Sequence, residues 1–408
     1  MKRIANARLA DGALVDIEIA AGRISTIRPA SGDGEAWRDM AGGLVFPGFV
    51  DLHTHLDKGH IWPRSPNPDG SFAGAIGAVG ADRKAHWSAS DVRARFEFGL
   101  RCAYAHGTVA IRTHLDSLAP QHHVSWPLFA EIRAEWAGRI ALQATAIIGW
   151  PALDDADFAT DLAETVKAHG GSMGGVIQPM ERQDERIRSL IRLASDHGLD
   201  LDLHMDETLD ESARALPLLA QALLDMKFAG RVLVGHCCSL SVQSDSEIDR
   251  TLDLMAAAKI DVVSLPMCNM YLQDRHAGRT PRRRGVTLLH EMAARGLRVA
   301  VASDNCRDPF YAYGDHDLLE VYREAVRIAH LDHPFGMWHR AVGQTPAEIM
   351  GIDAGIIAEG SPADLILFRA RTLNELLSRP QSDRVVIRAG EIIDTRLPDY
   401  AELDSTLS

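Results

Sequence analysis

Gly48-Phe-Val-Asp-Leu-His53-Thr-His55-Leu-Asp57-Lys58 (GFVDLHTHLDK) ends an apolar run with two imidazoles one residue apart. In a strand, residues i and i+2 point to the same side, so His53 and His55 aim together at whatever lies beyond the strand end. One such pair arises by chance in many chains. Its meaning depends on what the other strand ends carry.

Reading outward from this stretch, short runs rich in β-branched and apolar residues recur, each followed by an amphipathic stretch. They are LVFPGFVDLH, GTVAIRTHLD, RIALQATAII, GGVIQP, LDLDLHMDE, RVLVGHC, IDVVSLP and RVAVASD, eight in all. Between them lie helical patterns, such as Ser88 to Gly107 with Ser90 as the expected cap, Asp184 to Gly198, and Ser246 to Lys259. Eight strands alternating with helices predict a (β/α)8 TIM barrel over residues 47–356, with its chemistry at the C-terminal strand ends. A doubly wound open sheet shares this local pattern. The flanks, residues 1–46 and 357–408, read as short strands and turns, and both carry an Ala-Gly turn: Ala21-Gly22-Arg23-Ile24 and Ala389-Gly390-Glu391-Ile392. Both termini are therefore expected to pair into one small β-sandwich domain.

The other strand ends supply the company. The fifth ends in LHMDE, placing His204 at the end and Glu207 just after it. The sixth ends in VGHCC with His236, and the eighth in VASDN with Asp304. A single strand-end histidine is more often a hydrogen-bonded structural group than a ligand. For all of these to meet on one rim by accident is improbable, and together they predict a metal site. Three imidazoles (His53, His55, His204) and one carboxylate (Asp304) make a mixed nitrogen and oxygen donor set that suits Zn2+ or Fe2+.

The bulk composition narrows the partners. A net charge of −13 argues against nucleic acid and anionic membrane, and no apolar run is long enough to span a bilayer. Five cysteines, two of them adjacent (Cys237 and Cys238), do not form a disulfide framework, and a cytoplasmic enzyme with a small-molecule substrate is expected.

The segments GFVDLHTHLDK, IRTHLD, LHMDE, GHCCSL, LPMCNMYLQDR with PRRRGVTLLHEM, and SDNCRDPFYAYGD together resemble the amidohydrolase superfamily, and within it the bacterial cytosine deaminase group. The resemblance implies one divalent metal ion per chain, since the fourth strand, GGVIQP, lacks the lysine that bridges two metals in binuclear members. It implies that Asp304 binds the metal and takes a proton from the attacking water, that His236 holds and polarises that water, and that Glu207 protonates the ring nitrogen beside the attacked carbon. The activity implied is hydrolytic deamination of a heterocyclic amine, with cytosine or a substituted pyrimidine first. A pterin, a triazine losing an N-alkylamine, or another cyclic amidine or amide is the alternative, and a silent binding protein on the same scaffold is disfavoured because no metal or acid–base position is lost. A homo-oligomer is the group's habit.

Ile147, Gln273, Asn305, Phe310 and His114 are the expected substrate-binding residues, with a structural role the equal alternative for His114 and Gln273 on a loop that shapes the site. Ile147 falls where cytosine deaminases carry a glutamine that reads the pyrimidine edge, and an apolar side chain cannot replace that hydrogen bonding. Asn305 replaces an acidic residue. Asp57 and Lys58 read as rim charges, Arg282, Arg283 and Arg284 as a solvated or subunit-contact patch, and Cys237 and Cys238 as buried packing.

Overall fold

Each of the eight core runs folds as a strand. A computed structural model of the protein describes residues 2–32 and 35–407. The flanking strands at the N-terminus are β1 (Lys2–Arg8), β2 (Leu14–Ala20), β3 (Arg23–Pro29), β4 (Arg38–Asp39) and β5 (Val45–Pro47). The core strands follow: β6 (Phe49–Thr54), β7 (Thr108–Asp116), β8 (Ala141–Ile147), β9 (Met173–Ile177), β10 (Leu201–Met205), β11 (Val232–His236), β12 (Asp261–Ser264) and β13 (Val299–Val301). The last three are β14 (Leu365–Leu367), β15 (Val385–Arg388) and β16 (Glu391–Ile392).

Strands β6, β7 and β8 pair in parallel, as do β9 to β13 in order. Parallel bridges at Thr145–Ser172 and Thr54–Asp304 join the two sheets at both seams, giving a TIM-barrel-like ring. The strands are buried along nearly their whole length, as parallel strands covered by helices must be. The covering helices are α1 (Phe72–His86), α2 (Ala89–His106), α3 (His122–Glu135), α4 (Ala156–Ala168), α5 (Gln183–His197), α6 (Ala215–Met226), α7 (Asp245–Ala257), α8 (Pro266–Leu272), α9 (Leu289–Ala294) and α10 (Leu318–Ala329). Their apolar faces share one continuous core with the strands, from Phe46 and Phe49 through Trp126, Leu162 and Leu203 to Tyr322.

The cap of α2 differs from the expectation. Ser88, not Ser90, is the N-cap: its hydroxyl accepts from the Asp91 N–H, and the helix already begins at Ala89. Gly107 ends it in the left-handed conformation, as its position predicts.

The termini form two four-stranded sheets, β3-β2-β1-β4 and β16-β15-β14-β5. Ile4, Ile17, Ile19 and Ile24 of the first pack against Val45, Leu365, Leu367 and Ile387 of the second. The two Ala-Gly turns meet face to face. Ala21 and Gly22 have φ of 49° and 75°, Ala389 and Gly390 have 45° and 79°, and a side chain at Gly22 would press on the Ala389 carbonyl.

Candidate functional site

The site lies where the core strands end. His53 and His55 leave β6 with their Nε2 atoms 3.5 and 3.2 Å from Asp304 Oδ1, and His204 Nε2 from β10 is 3.3 Å from His55 Nε2. Two imidazole nitrogens on one tetrahedral Zn2+, each bonded at 2.0–2.1 Å, lie about 3.3 Å apart. The spacing is that of a metal site. His236 packs against His204 with ring centroids 4.9 Å apart, and it groups with His53 and Asp304 as a second set of donors within 4.8 Å.

All four imidazoles are buried. Burial, reinforced by the neighbouring imidazoles and the Lys58 charge, holds His53, His55 and His204 well below the ordinary histidine value. Burial pushes His236 down to about 3. Neutral imidazoles are the ligand form. Among the described residues, both ring nitrogens of His53, Nδ1 of His55 and His204, and Nε2 of His236 have no hydrogen-bond partner. Orphaned buried nitrogens around a carboxylate fit a divalent cation, for which the donor set supplies neutral nitrogen and one anionic oxygen.

Two of these residues occupy strained backbone. His236 has φ of 68° and Asp304 of 62°, left-handed values that a non-glycine residue adopts at a cost of about 1–3 kcal/mol each. The turn at each strand end re-aims its side chain, which straight strand alternation would not do.

Glu207 follows β10 and lies beside His236, Oε1 to Nδ1 3.3 Å. Burial, then the nearby Asp304 carboxylate, raises its carboxyl well above the usual range and favours the protonated form. Burial likewise raises Asp304 to about 7. Asn269 of α8, which the motifs did not single out, ties these groups together: its Nδ2 donates to Glu207 Oε1 at 3.2 Å and lies 2.9 Å from His236 Nδ1.

Above these groups opens a cleft of about 650 Å³, walled by Phe72, Ile76, Val79, Leu118, Ile147, Ile148, Trp150, Met180 and Phe310, with Gln178, Asn305, Lys58, Arg83 and Asp116 among its polar groups. Of the expected substrate-binding residues, Ile147, Asn305 and Phe310 line it. Asn305 is committed on one side, donating to Asp308 Oδ2 at 2.7 Å. Gln273 does not reach the cleft; its amide donates to the Glu207 carbonyl at 3.2 Å and so braces the loop that carries Glu207. His114 does not line the cleft either, which leaves its structural alternative. It lies wholly buried against His53, ring centroids 3.9 Å apart, two residues before the end of β7.

Asp57 and Lys58 are not rim charges. Asp57 is fully buried and accepts the Asp116 N–H at 2.7 Å. Lys58 pairs with Asp116 at 2.8 Å and sits over the Phe310 ring, while Arg83 of α1 grips the other Asp116 oxygen at 2.8 Å. The polar corner of the cleft is thus built from three elements that lie far apart in the chain. Arg282, Arg283 and Arg284 are exposed, with the first two backbone N–H groups donating to Asp274. Cys237 and Cys238 are buried, as read.

Comparisons with known proteins identify the family. The model of the amidohydrolase family matches residues 139–394. A pterin deaminase of Rhizobium rhizogenes is 57% identical over 395 residues, 96% of this chain and 90% of that protein. The crystal structure of 5-methylcytosine deaminase from Klebsiella pneumoniae superposes with a TM-score of 0.85 at 25% identity, covering 98% of both chains. N-isopropylammelide isopropylaminohydrolase from Burkholderia multivorans superposes with a TM-score of 0.80 at 26% identity, covering 98% of this chain and 100% of that one. With the family model spanning more than half of its length and a relative this similar end to end, the chain belongs to the amidohydrolase family of hydrolases.

Proposed function

We propose that the protein is a metal-dependent hydrolytic deaminase of pterins. The observation that carries the reading is the group formed by His53, His55, His204, Asp304, His236 and Glu207 at the foot of one apolar-walled cleft. The substrate class rests on the 57% identity to a pterin deaminase, against 25% to the 5-methylcytosine enzyme. This ranks the bicyclic alternative above the pyrimidine that the sequence motifs put first. Ile147 supports the same order, since it offers no amide to read a cytosine edge, while the long apolar walls suit a larger flat ring. In the same reading, residues 47–356 form the catalytic (β/α)8 barrel and residues 1–46 with 357–408 the β-sandwich.

His53, His55, His204 and Asp304 would hold one Zn2+ or Fe2+, which when bound makes a coordinated water acidic near neutral pH. The protein's own groups do the rest. Asp304 accepts the proton of the attacking water, and His236 holds that water toward the amine-bearing ring carbon. Glu207 donates its proton to the adjacent ring nitrogen, so that charge does not build up as the carbon becomes tetrahedral. The C–N bond then breaks, the proton returned through the carboxylates goes to the leaving amine, and ammonia departs while the ring keeps the oxygen. Asn269 fixes Glu207 and His236 relative to each other. Lys58, Arg83 and Asp116 give the otherwise apolar cleft one charged corner that orients the ring.

The test is ammonia release from pterin, cytosine, 5-methylcytosine and an N-alkylated triazine by the metal-loaded protein. The proposal expects pterin to be turned over with the highest kcat/KM. Release of an alkylamine from the triazine without ammonia from pterin would overturn it.

A further inference from the structure

A second group of ligating side chains lies away from the cleft. His60 follows β6, Cys306 lies two residues beyond Asp304, and His316 precedes α10. Their relative exposures are 1%, 1% and 2%. One ligand atom from each lies within 4.8 Å of the other two. Neither ring nitrogen of His60 or His316 has a hydrogen-bond partner among the described residues. Four buried imidazole nitrogens without partners call for an explanation, and a cation bound to one nitrogen of each ring would satisfy two of them. The two rings stand 6.0 Å apart between centroids, somewhat wider than the 5.3 Å between His53 and His55.

Two glycines let neighbouring segments lie close against the group. A Cβ at Gly99 of α2 would come within 3.0 Å of His316 Nε2, and one at Gly314 would lie 3.6 Å from Cys306 Sγ. The Phe98 ring meets His60 edge-on at 4.8 Å and excludes bulk water from one side. Burial pushes the Cys306 thiol well up, and the backbone N–H of His316 opposes that rise. Arg307 and Arg95 bring positive charge near the group, while Asp315 and Asp308 bring negative charge. On the outer side, a cavity of about 340 Å³ lined by His60, Arg307, Tyr400 and Leu403 provides a path of entry.

We propose that His60, Cys306 and His316 form a second metal site, for one thiophilic divalent cation of the Zn2+ type, with its fourth position open to that cavity. Two imidazoles and a sulfur are the donors such a cation selects over the oxygen ligands of Mg2+ or Ca2+. The site ties the segment after β6 to the segment after β13, two strands joined by the Thr54–Asp304 bridge. His55 and Asp304 lie on these segments and His53 at the end of β6, so the second ion braces the first donor set without belonging to it.

The experiment uses the full chain with Co2+ as probe. A sulfur ligand gives a thiolate-to-cobalt charge-transfer band, and the catalytic donors proposed above include no sulfur. The wild type should bind two ions per chain and show the band. His204→Ala should lose the catalytic ion yet keep the band, which separates this site from the deaminase reading. Cys306→Ser should lose the band and one ion, and His60→Gln should lose the same ion if the serine variant does not fold. Zn2+ should raise the Tm of His204→Ala and leave the Tm of His204→Ala with Cys306→Ser unchanged. A folded wild type that takes up one ion with no thiolate band would overturn the proposal, the imidazoles then being hydrated instead. Persistence of the band in Cys306→Ser would overturn it as well.

Discussion

Glu207→Gln separates the two carboxylates of the site. The glutamine has the same length, and its amide oxygen can still accept from Asn269 Nδ2, 3.2 Å from Glu207 Oε1. It cannot deliver a proton to a ring nitrogen. Because burial and the nearby Asp304 favour the protonated form of Glu207, the exchange replaces one neutral group with another and leaves the donor set around Asp304 intact. The proposed mechanism therefore predicts full metal content, since Glu207 meets His236 but is not among the donors His53, His55, His204 and Asp304. A positioned general acid contributes roughly 10²–10⁴ in rate. This corresponds to about 2.7–5.4 kcal/mol of transition-state stabilisation. Both kcat and kcat/KM should fall by that factor, because the lost interaction exists only as the ring nitrogen takes up its proton. Metal analysis by mass spectrometry and steady-state ammonia release on one preparation would supply both numbers. Loss of the metal would make Glu207 a ligand. Unchanged kcat would move the proton transfer to another group, with His236 the nearest.

Two other perturbations address the metal and the scaffold. His204→Ala removes one donor of the set, and it should abolish deamination and release the catalytic ion, read as ions per chain before and after dialysis. Asp317→Asn keeps the cap on α10, which the Asp317 side chain makes to the Leu319 N–H at 3.0 Å, but removes the charge facing Arg384 at 2.6 and 2.7 Å. Stranding a nearly buried guanidinium costs about 3–5 kcal/mol. Burial alone would raise the Asp317 carboxyl, but the Arg384 contacts outweigh it and hold the folded value below the ordinary 3.8. The pair's contribution is thus complete above about pH 4 and is lost as the pH falls through the lower folded value. The Tm gap between wild type and variant should close in acid, and a gap that stays constant would contradict this account.

The strands and the first donors were legible because both depend on local pattern. A parallel strand buried on both faces reads as an apolar run, and a histidine at its end is visible in the one-dimensional text. His53, His55, His204, His236 and Asp304 could therefore be placed together from the order of elements alone. What was not legible depends on contacts between loops. Lys58 and Asp57 looked like rim charges because nothing in GFVDLHTHLDK reveals that Asp116 and Arg83 fold over them. His114 occupies a strand position like that of the ligands, and only the fold shows it buried against His53 instead of lining the cleft. Asn269 sits within a motif noted for other residues, and its role appears only when α8 brings it between Glu207 and His236. The helix cap moved from Ser90 to Ser88 because either serine satisfies the local rule and the start at Ala89 decides between them.

The central claim is that water replaces the amine of a pterin in this cleft. Turnover of pterin in water enriched in the heavy oxygen isotope tests it directly, with the product identified by mass and the ammonia counted. The account predicts lumazine carrying one heavy oxygen, one ammonia for each pterin consumed, and no product from protein stripped of metal until the metal is restored. A pterin left unchanged by fully metal-loaded protein that deaminates cytosine would contradict it.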